Sequence, residues 1–275
     1  SMQKQEANAE FTKFIKDNYT EWFSKNADYT PVMSNTLMDN YVFPELGEKP
    51  VFFFLIDNLR FDQWKVLEPE ISQYFNVDTE EMYYSILPTA TGYARNSIFS
   101  GLMPDDMESK HSDIWVDDTD EEGQNMHEEE FLIRQLKSKN LDVKSSYHKI
   151  LRQDQGKDVL SKMGNLMNND LNVLVYNFVD MLSHARTDSK MIRELAPDEA
   201  AYRSVTKSWF DHSPLFEALK WLSNKDVKVI ITTDHGTVRV KKAVQIKGDK
   251  NTNTNLRYKH GKNLSYDTKD VFSVR

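Results

Sequence analysis

Side chains that suit metal-assisted chemistry follow three apolar runs of this sequence. Asp57 ends the first run, Asp180 ends another and is followed four residues later by His184, and Asp234 with His235 ends the last. Carboxylate oxygens combined with neutral imidazole are ligands typical of zinc or manganese. The chain has no cysteine, so any metal must be bound through oxygen and imidazole nitrogen.

Taken one at a time, these residues allow simpler interpretations. An Asp after a strand is often the N-cap of the next helix, which is an alternative for Asp57. Helical i, i+4 spacing places Asp180 and His184 on one face, as in a metal pair, but also in a solvated Asp–His pair. It is the combination of all three, delivered to one edge of a sheet, that indicates a metal site.

A candidate nucleophile lies in the segment Leu-Pro-Thr-Ala-Thr-Gly, where a turn leads into a helix predicted to begin near Gly92. A hydroxyl at Thr91 would lie beside the N–H groups and the positive dipole end of that helix. Such a position suits phosphate binding, although an ordinary N-cap threonine is the alternative. Arg95 and Asn96, on the next turn, are candidates for contacting a phosphate oxygen.

The elements that would position these residues alternate along the chain. Apolar runs bounded by helical patterns are typical of a mostly parallel sheet covered by helices on both faces. We therefore predict an α/β fold, in which ligands bind beyond the carboxyl ends of the strands. The predicted strands are 51–56, 141–147, 173–179 and 227–233, and the predicted helices are 7–23, 62–74, 129–138, 155–167 and 198–222, with one more from residue 92.

The charge of the chain is concentrated in one segment. The net charge is −8, but residues 105–130 contain 12 Asp or Glu residues and a single Lys. We predict that this stretch is a solvated acidic insertion, which leaves the rest of the chain near +3 and compatible with an anionic substrate. The composition excludes a disordered tail and a basic nucleic-acid scaffold. Apolar runs of about six residues predict no membrane span, and the lack of cysteine fits a cytoplasmic location.

Four motifs in a fixed order carry a family resemblance. They are FFFLIDNLR, LPTATGYARNSIFSGLMP, VDMLSH and IITTDHG, and together they resemble the alkaline phosphatase superfamily. More narrowly, the chain from about residue 8 to its end, including RYKHGKNL, resembles the PglZ domain of PorX-like response regulators. The resemblance implies a helical connector over residues 1–48 and an alkaline phosphatase-like domain over residues 49–275.

The resemblance also implies two zinc sites, with manganese as an alternative metal, and a threonine nucleophile. The spacing to Ser100-Gly101-Leu102 favours Thr91 over Thr89 as that nucleophile. In relatives of this kind, one ion is bound by the first Asp, the nucleophile and the Asp-His pair, and the other by Asp-x-x-x-His and a later His. Carried over to this sequence, the first site is Asp57, Thr91, Asp234 and His235, and the second is Asp180 and His184.

The pattern of the superfamily requires one more histidine in the second site. His260 is the only later histidine, and its surroundings resemble a loop of the family. The family's ligand belongs to a Gln-His-Gly-Gly-like motif, which does not occur before Arg275. We therefore expect that the chain stops before the last strands of the sheet and before this ligand, with His260 kept as a candidate.

Two functions follow from the resemblance. The first is a metal-dependent phosphodiesterase or phosphatase that acts on nucleotide or oligonucleotide phosphodiesters, within a response regulator that controls type IX secretion. The second is a non-catalytic regulatory module that keeps the phosphatase fold and its metal sites. In either case the expected partners are the protein's own receiver domain and a second copy of the chain.

Overall fold

The computed structural model describes residues 2–24, 26–116, 123–240 and 243–273. The chain forms two compact units, one of Met33–Arg239 and one of Ser1–Val32 with Val240–Arg275. The larger unit contains the sheet and most of the predicted site residues. The boundary near residue 48 stays a prediction.

The larger unit is built on a sheet of four strands. They are β1 (Val51–Ile56), β2 (Ser145–Ile150), β3 (Leu171–Tyr176) and β4 (Lys228–Thr232). Their order across the sheet is β2-β3-β1-β4, and all neighbouring strands are parallel. Ile56 pairs with Tyr176 and Leu55 pairs with Thr232, so β1, β3 and β4 end at nearly the same level. Residues that follow these strands therefore meet at one edge.

Helices cover both faces of this sheet. They are α2 (Leu37–Tyr41), α3 (Phe61–Ile71), α4 (Thr91–Ser100), α5 (Pro104–Lys110), α6 (Glu128–Ser138), α7 (Gln153–Ser161), α8 (Met163–Leu166), α11 (Glu199–Asp211) and α12 (Pro214–Leu222). Alternate residues of β1 supply one hydrophobic core on each face. Phe52, Phe54 and Ile56 pack with side chains of α3, α7, α8, α11 and α12, whereas Phe53 and Leu55 pack with α2, α4, α5 and α6. The predicted α/β class is confirmed.

Three further helices complete the α-helices of the described residues. The helix α1 (Met2–Asn18) belongs to the smaller unit, and α9 (Phe178–Asp188) and α10 (Lys190–Leu195) follow β3. In the smaller unit the predicted helix 7–23 is α1 followed by a 3-10 turn, Glu21–Phe23, in which Trp22 is buried and contacts Phe14. Within the described residues, none of the helices combines the length and the apolar composition that crossing a bilayer requires.

Two predicted strands differ from the observed ones for physical reasons. The run 141–147 contributes Leu141 and Val143 to a core, but the hydrogen-bonded strand is Ser145–Ile150, which tolerates polar residues because it lies at the edge of the sheet. The run 173–179 crosses a junction, because β3 ends at Tyr176 and the next apolar residues already lie on α9. The prediction that Asp180 ends a strand is therefore wrong.

Two long predicted helices are each divided in the structure. The stretch 198–222 contains α11 and α12, and α12 begins with Pro214 while the Ser213 hydroxyl accepts a hydrogen bond from the backbone N–H of Phe216. Proline at the first position combined with a serine N-cap is a strong helix start, which explains the break. The stretch 155–167 likewise contains α7 and α8.

The acidic stretch 105–130 is only partly a solvated segment. Its beginning forms α5, whose Met107 is fully buried, and its end forms the first turn of α6, where Glu128 is 1% exposed. The prediction of a solvated insertion is wrong for Met107 and Glu128, which are buried, whereas Asp105 and Glu108 of α5 are exposed. The centre of the stretch, residues 117–122, lies outside the described residues.

Candidate metal centre

The turn after β1 places Asp57 and Asn58 at the edge where the strands end. Asp57 is 1% exposed, and Asn58 adopts a positive φ of 62°, a conformation that asparagine tolerates better than most residues. The backbone N–H of Asn58 donates to Asp234 Oδ1 at 3.1 Å, and the N–H of Leu59 donates to the Thr233 hydroxyl at 3.0 Å. Hydrogen bonds therefore join the turn after β1 to the loop after β4.

The loop after β4 presents Asp234 and His235 to the same place. Both residues are buried, and the hydroxyl of Tyr83 donates to the backbone carbonyl of Thr233 and, at 3.2 Å, to that of Asp234. His235 Nδ1 lies 3.3 Å from the carbonyl oxygen of Gly236. A proton on Nδ1 donated to this carbonyl directs the lone pair of Nε2 at the cluster, as in many metal-binding histidines.

Thr91 is the first residue of α4, and its N-cap is Ala90. The alternative of an ordinary N-cap threonine is therefore wrong. Thr91 Oγ1 lies 2.9 Å from His235 Nε2. The hydroxyl thus lies both at the start of a helix and beside the Asp-His pair.

Arg95 and His235 approach different oxygens of Asp57, Oδ2 and Oδ1 respectively. Its guanidinium is fully buried and contacts Asp57 Oδ2 at 2.7 Å through Nη1, while its Nε contacts Glu128. Asn96 is also buried and donates to the carbonyl oxygens of Gly92 and Gln124. Both side chains have their partners inside the protein. The contact of Arg95 or Asn96 with a phosphate oxygen stays a prediction.

Burial and crowding of carboxylates shape the electrostatics of this cluster. Burial, followed by the charge of Asp234, raises the pKa of Asp57 well above its ordinary value, although Arg95 opposes this. Burial also raises the pKa of Asp234, again against Arg95. A neighbouring cation stabilises the ionised form of both carboxylates, so the cluster is suited to a divalent ion.

The donor set fits a metal ion of the kind that the sequence predicted. Ligand atoms of Asp57, Asp234 and His235 all lie within 4.8 Å of one another. Asp57 Oδ1 and Asp234 Oδ2 are buried and have no hydrogen-bond partner among the described residues, a costly state for polar atoms unless a ligand completes them. Oxygen and imidazole donors with a nearby hydroxyl suit zinc or manganese.

Asp180 and His184 form a separate pair beside this cluster. They lie one turn apart on α9, with His184 Nε2 3.4 Å from Asp180 Oδ2, and Asn58 Nδ2 donates to Asp180 Oδ1 at 2.9 Å. Although burial alone would raise the pKa of Asp180, the contacts with His184 and Asn58 lower it. Asn58 therefore links the pair to Asp234, while the group of three close ligands does not include the pair.

His260 belongs to the smaller unit. Its backbone N–H donates to Asn253 Oδ1 at 3.0 Å, and its carbonyl accepts from the N–H of Asn253. Its role as the last ligand stays a prediction.

Two residues of the centre escaped the sequence analysis. Asn58 was detectable, because an asparagine directly after a strand and before a helix is a common site of positive φ. Glu128 was not, because nothing in a run of acidic residues marks the one that is buried. Its contacts with Arg95 depend on residues more than thirty positions apart in the chain.

Two family models match parts of this chain. Residues 37–275 match the family model described as the BREX system PglZ alkaline phosphatase-like domain. Residues 1–23 match the model of the PorX response regulator linker domain. Among curated proteins, none matches the chain at a significant level. Both matches confirm the resemblance that the sequence motifs indicated.

Proposed function

Because the chain belongs to the BREX system PglZ alkaline phosphatase-like family, we propose that it is a metal-dependent phosphodiesterase that uses Thr91 as its nucleophile. The family supplies a hydrolase fold, and one observation carries the finer assignment. Thr91 Oγ1 lies 2.9 Å from His235 Nε2, in a buried cluster with the carboxylates of Asp57 and Asp234. A hydroxyl held next to candidate metal ligands is a typical arrangement for an activated nucleophile.

In this proposal Asp57, Asp234, His235 and Thr91 hold one zinc or manganese ion, and Asp180 with His184 contributes to the second. When bound, the metal supplies charge that lowers the pKa of the threonine hydroxyl and neutralises developing charge on phosphoryl oxygens. The start of α4 adds backbone N–H groups and the positive end of its dipole, which attract the phosphate.

The proposed reaction has two displacements at phosphorus. Thr91 Oγ forms a bond to phosphorus while the bond to the leaving oxygen breaks, and the hydroxyl proton ends on the leaving group. Water then cleaves the bond between phosphorus and Thr91 Oγ in the resulting threonine phosphodiester, which restores the Thr91 hydroxyl and releases a phosphomonoester. The expected substrates are nucleotide or oligonucleotide phosphodiesters, and the net charge near +3 of the chain outside residues 105–130 is compatible with an anionic substrate.

The test compares two threonines that are two residues apart. Full-length protein is stripped with a chelator, reloaded with zinc or manganese, and assayed with bis(p-nitrophenyl) phosphate. We expect Thr91→Ala to lower turnover by about 1,000-fold or more, whereas Thr89→Ala retains it. Acid quenching followed by mass spectrometry should detect a p-nitrophenyl phosphoryl group on Thr91 in the wild type. Full metal-dependent turnover by Thr91→Ala would exclude the proposed nucleophile.

A second candidate function is a regulatory module of a response regulator, in which the phosphatase fold works by binding. The match of residues 1–23 to the PorX response regulator linker domain supports it. Under this proposal the receiver domain of the same protein and a second copy of the chain are the partners, and type IX secretion is the controlled process. Stoichiometric metal without turnover of any diester by the full-length protein would favour this function over hydrolysis.

A further inference from the structure

Glu128 is unusual among the acidic residues of its segment. Its side chain is 1% exposed, whereas its neighbour Glu129 faces solvent. A carboxylate in a protein interior persists only when it is paired and hydrogen-bonded. Glu128 meets this condition through Arg95 Nε, the hydroxyl of Tyr147 and, at 3.6 Å, Lys149 Nζ.

These contacts connect Glu128 to a candidate metal ligand. Arg95 contacts Glu128 through Nε and Asp57 Oδ2 through Nη1 at 2.7 Å, and Nη1 also lies 3.4 Å from Asn177 Oδ1. A planar guanidinium held at two edges fixes the orientation of the carboxylate that it contacts. Because Arg95 engages Oδ2, the other oxygen of Asp57 lies on the side of His235, with Oδ1 3.6 Å from His235 Nε2.

The charges of these residues support the same role for Glu128. Arg95 contacts two carboxylates, those of Asp57 and Glu128. The negative charge of Glu128 offsets part of the positive charge that Arg95 places beside the cluster. Without Glu128, the uncompensated guanidinium would repel a divalent ion at this site more strongly.

We infer that Glu128 is a positioning residue of the metal centre, which acts through Arg95 to orient Asp57 and to offset the guanidinium charge beside a bound divalent ion. The acidic stretch therefore contributes one of its members to the site. This inference rests on the proposed metal-dependent function, but it concerns the binding of the ion rather than the hydrolysis.

The test measures metal binding directly. Zinc affinity of the full chain is determined by competition with a chromogenic chelator, and the geometry of the site is followed by the visible spectrum of the cobalt-substituted protein. We expect Glu128→Gln to weaken zinc binding by about 10-fold to 100-fold, the usual effect of losing a partner behind a ligand, and to shift the cobalt spectrum. Glu129→Gln removes the same charge one residue away and should change neither.

A second variant covers the case in which Glu128→Gln fails to fold. Tyr147→Phe removes one hydrogen bond to the carboxylate without changing any charge, and it should weaken zinc binding by a smaller factor. Wild-type zinc affinity and an unchanged cobalt spectrum in a folded Glu128→Gln protein, or in Tyr147→Phe if that variant alone folds, would overturn the inference. Zinc binding by the wild type without diester turnover would instead remove the proposed hydrolysis and leave this inference intact.

Discussion

Two groups of predicted metal ligands lie side by side, and the fold holds them differently. The side chains of Asp57, Asp234 and His235 are at most 2% exposed. Asp180 is 18% exposed and His184 is 76% exposed. The first group follows the ends of two neighbouring strands, whereas the second occupies one face of a helix.

This difference indicates how much order each group has before a ligand arrives. Strand ends in register fix the backbone positions of Asp57 and Asp234, and hydrogen bonds from Asn58 and Tyr83 hold the connecting loops. A side chain exposed on a helix is held less firmly than a buried one, and it loses more conformational entropy when it binds a metal. Because pre-organised ligands bind at lower entropic cost, we expect the buried cluster to bind the first metal ion and the α9 pair to bind more weakly.

The largest expected effect is the loss of the first metal ion in Asp234→Asn. The asparagine oxygen can still accept the hydrogen bonds from the N–H groups of Asn58 and His235, so the fold should persist. Losing a partner behind a ligand costs about 10-fold to 100-fold in affinity, so losing a charged ligand itself should cost more than about 100-fold. Isothermal titration with zinc measures this loss. The matched variant is Asp180→Asn, which should leave the first, tighter step in place, and equal losses in both variants would contradict the division.

The second effect is an opposite dependence of stability on pH for the two carboxylates in the metal-free protein. Burial raises the pKa of Asp234 in the folded protein above its value in the unfolded chain, which is near 3.8. The stabilisation that the protonated carboxyl provides is therefore fully present below pH 3.8, and it is lost as the pH rises through the pKa of the folded state. The asparagine side chain of the Asp234→Asn variant cannot ionise. That variant should therefore gain stability over the wild type as the pH rises above about 4.

For Asp180 the sign is reversed. Burial would raise its pKa, but His184 and Asn58 lower it, so its contribution is present above the unfolded pKa and is lost as the pH falls through the lowered value. The Asp180→Asn protein should be less stable than the wild type at neutral pH and should approach it on acidification. Thermal unfolding in the presence of a chelator, from acidic to neutral pH, measures the stability of both variants. A change of 1 kcal/mol shifts the midpoint temperature by about 2–4 °C. Parallel curves for the two variants would show that the carboxylates do not differ as described.

The sequence was sufficient where local pattern and topology coincide. Asp57 and Asp234-His235 could be predicted because apolar runs end abruptly at them and parallel strands end at one edge. Thr91 could be predicted because a turn and a helix start frame it. These residues owe their positions to short stretches of backbone that their own neighbours determine.

Other parts of the centre depend on contacts that no local pattern contains. The apolar run of β3 continues through Phe178 and Val179, so the sequence predicts Asp180 at the end of a strand. In the structure these two residues belong to α9 and pack against the core from that helix. Glu128 carries no signal among 12 acidic residues, since its burial is decided by Arg95 and Tyr147. The positions of the candidate ligands were thus accessible to sequence reasoning, and those of the residues that support them were not.

The smallest expected effect is that of His184→Gln. With a side chain 76% exposed, its removal should change the free energy of unfolding by no more than about 0.5 kcal/mol, as at other surface positions. The first zinc equivalent should bind as in the wild type, and only the second, weaker step of the titration should decline. His212→Gln, a change at an exposed histidine between α11 and α12, serves as the control and should alter neither step. If His184→Gln weakened the first step as much as Asp234→Asn does, the α9 pair would belong to the buried cluster, and the two groups would act as one site.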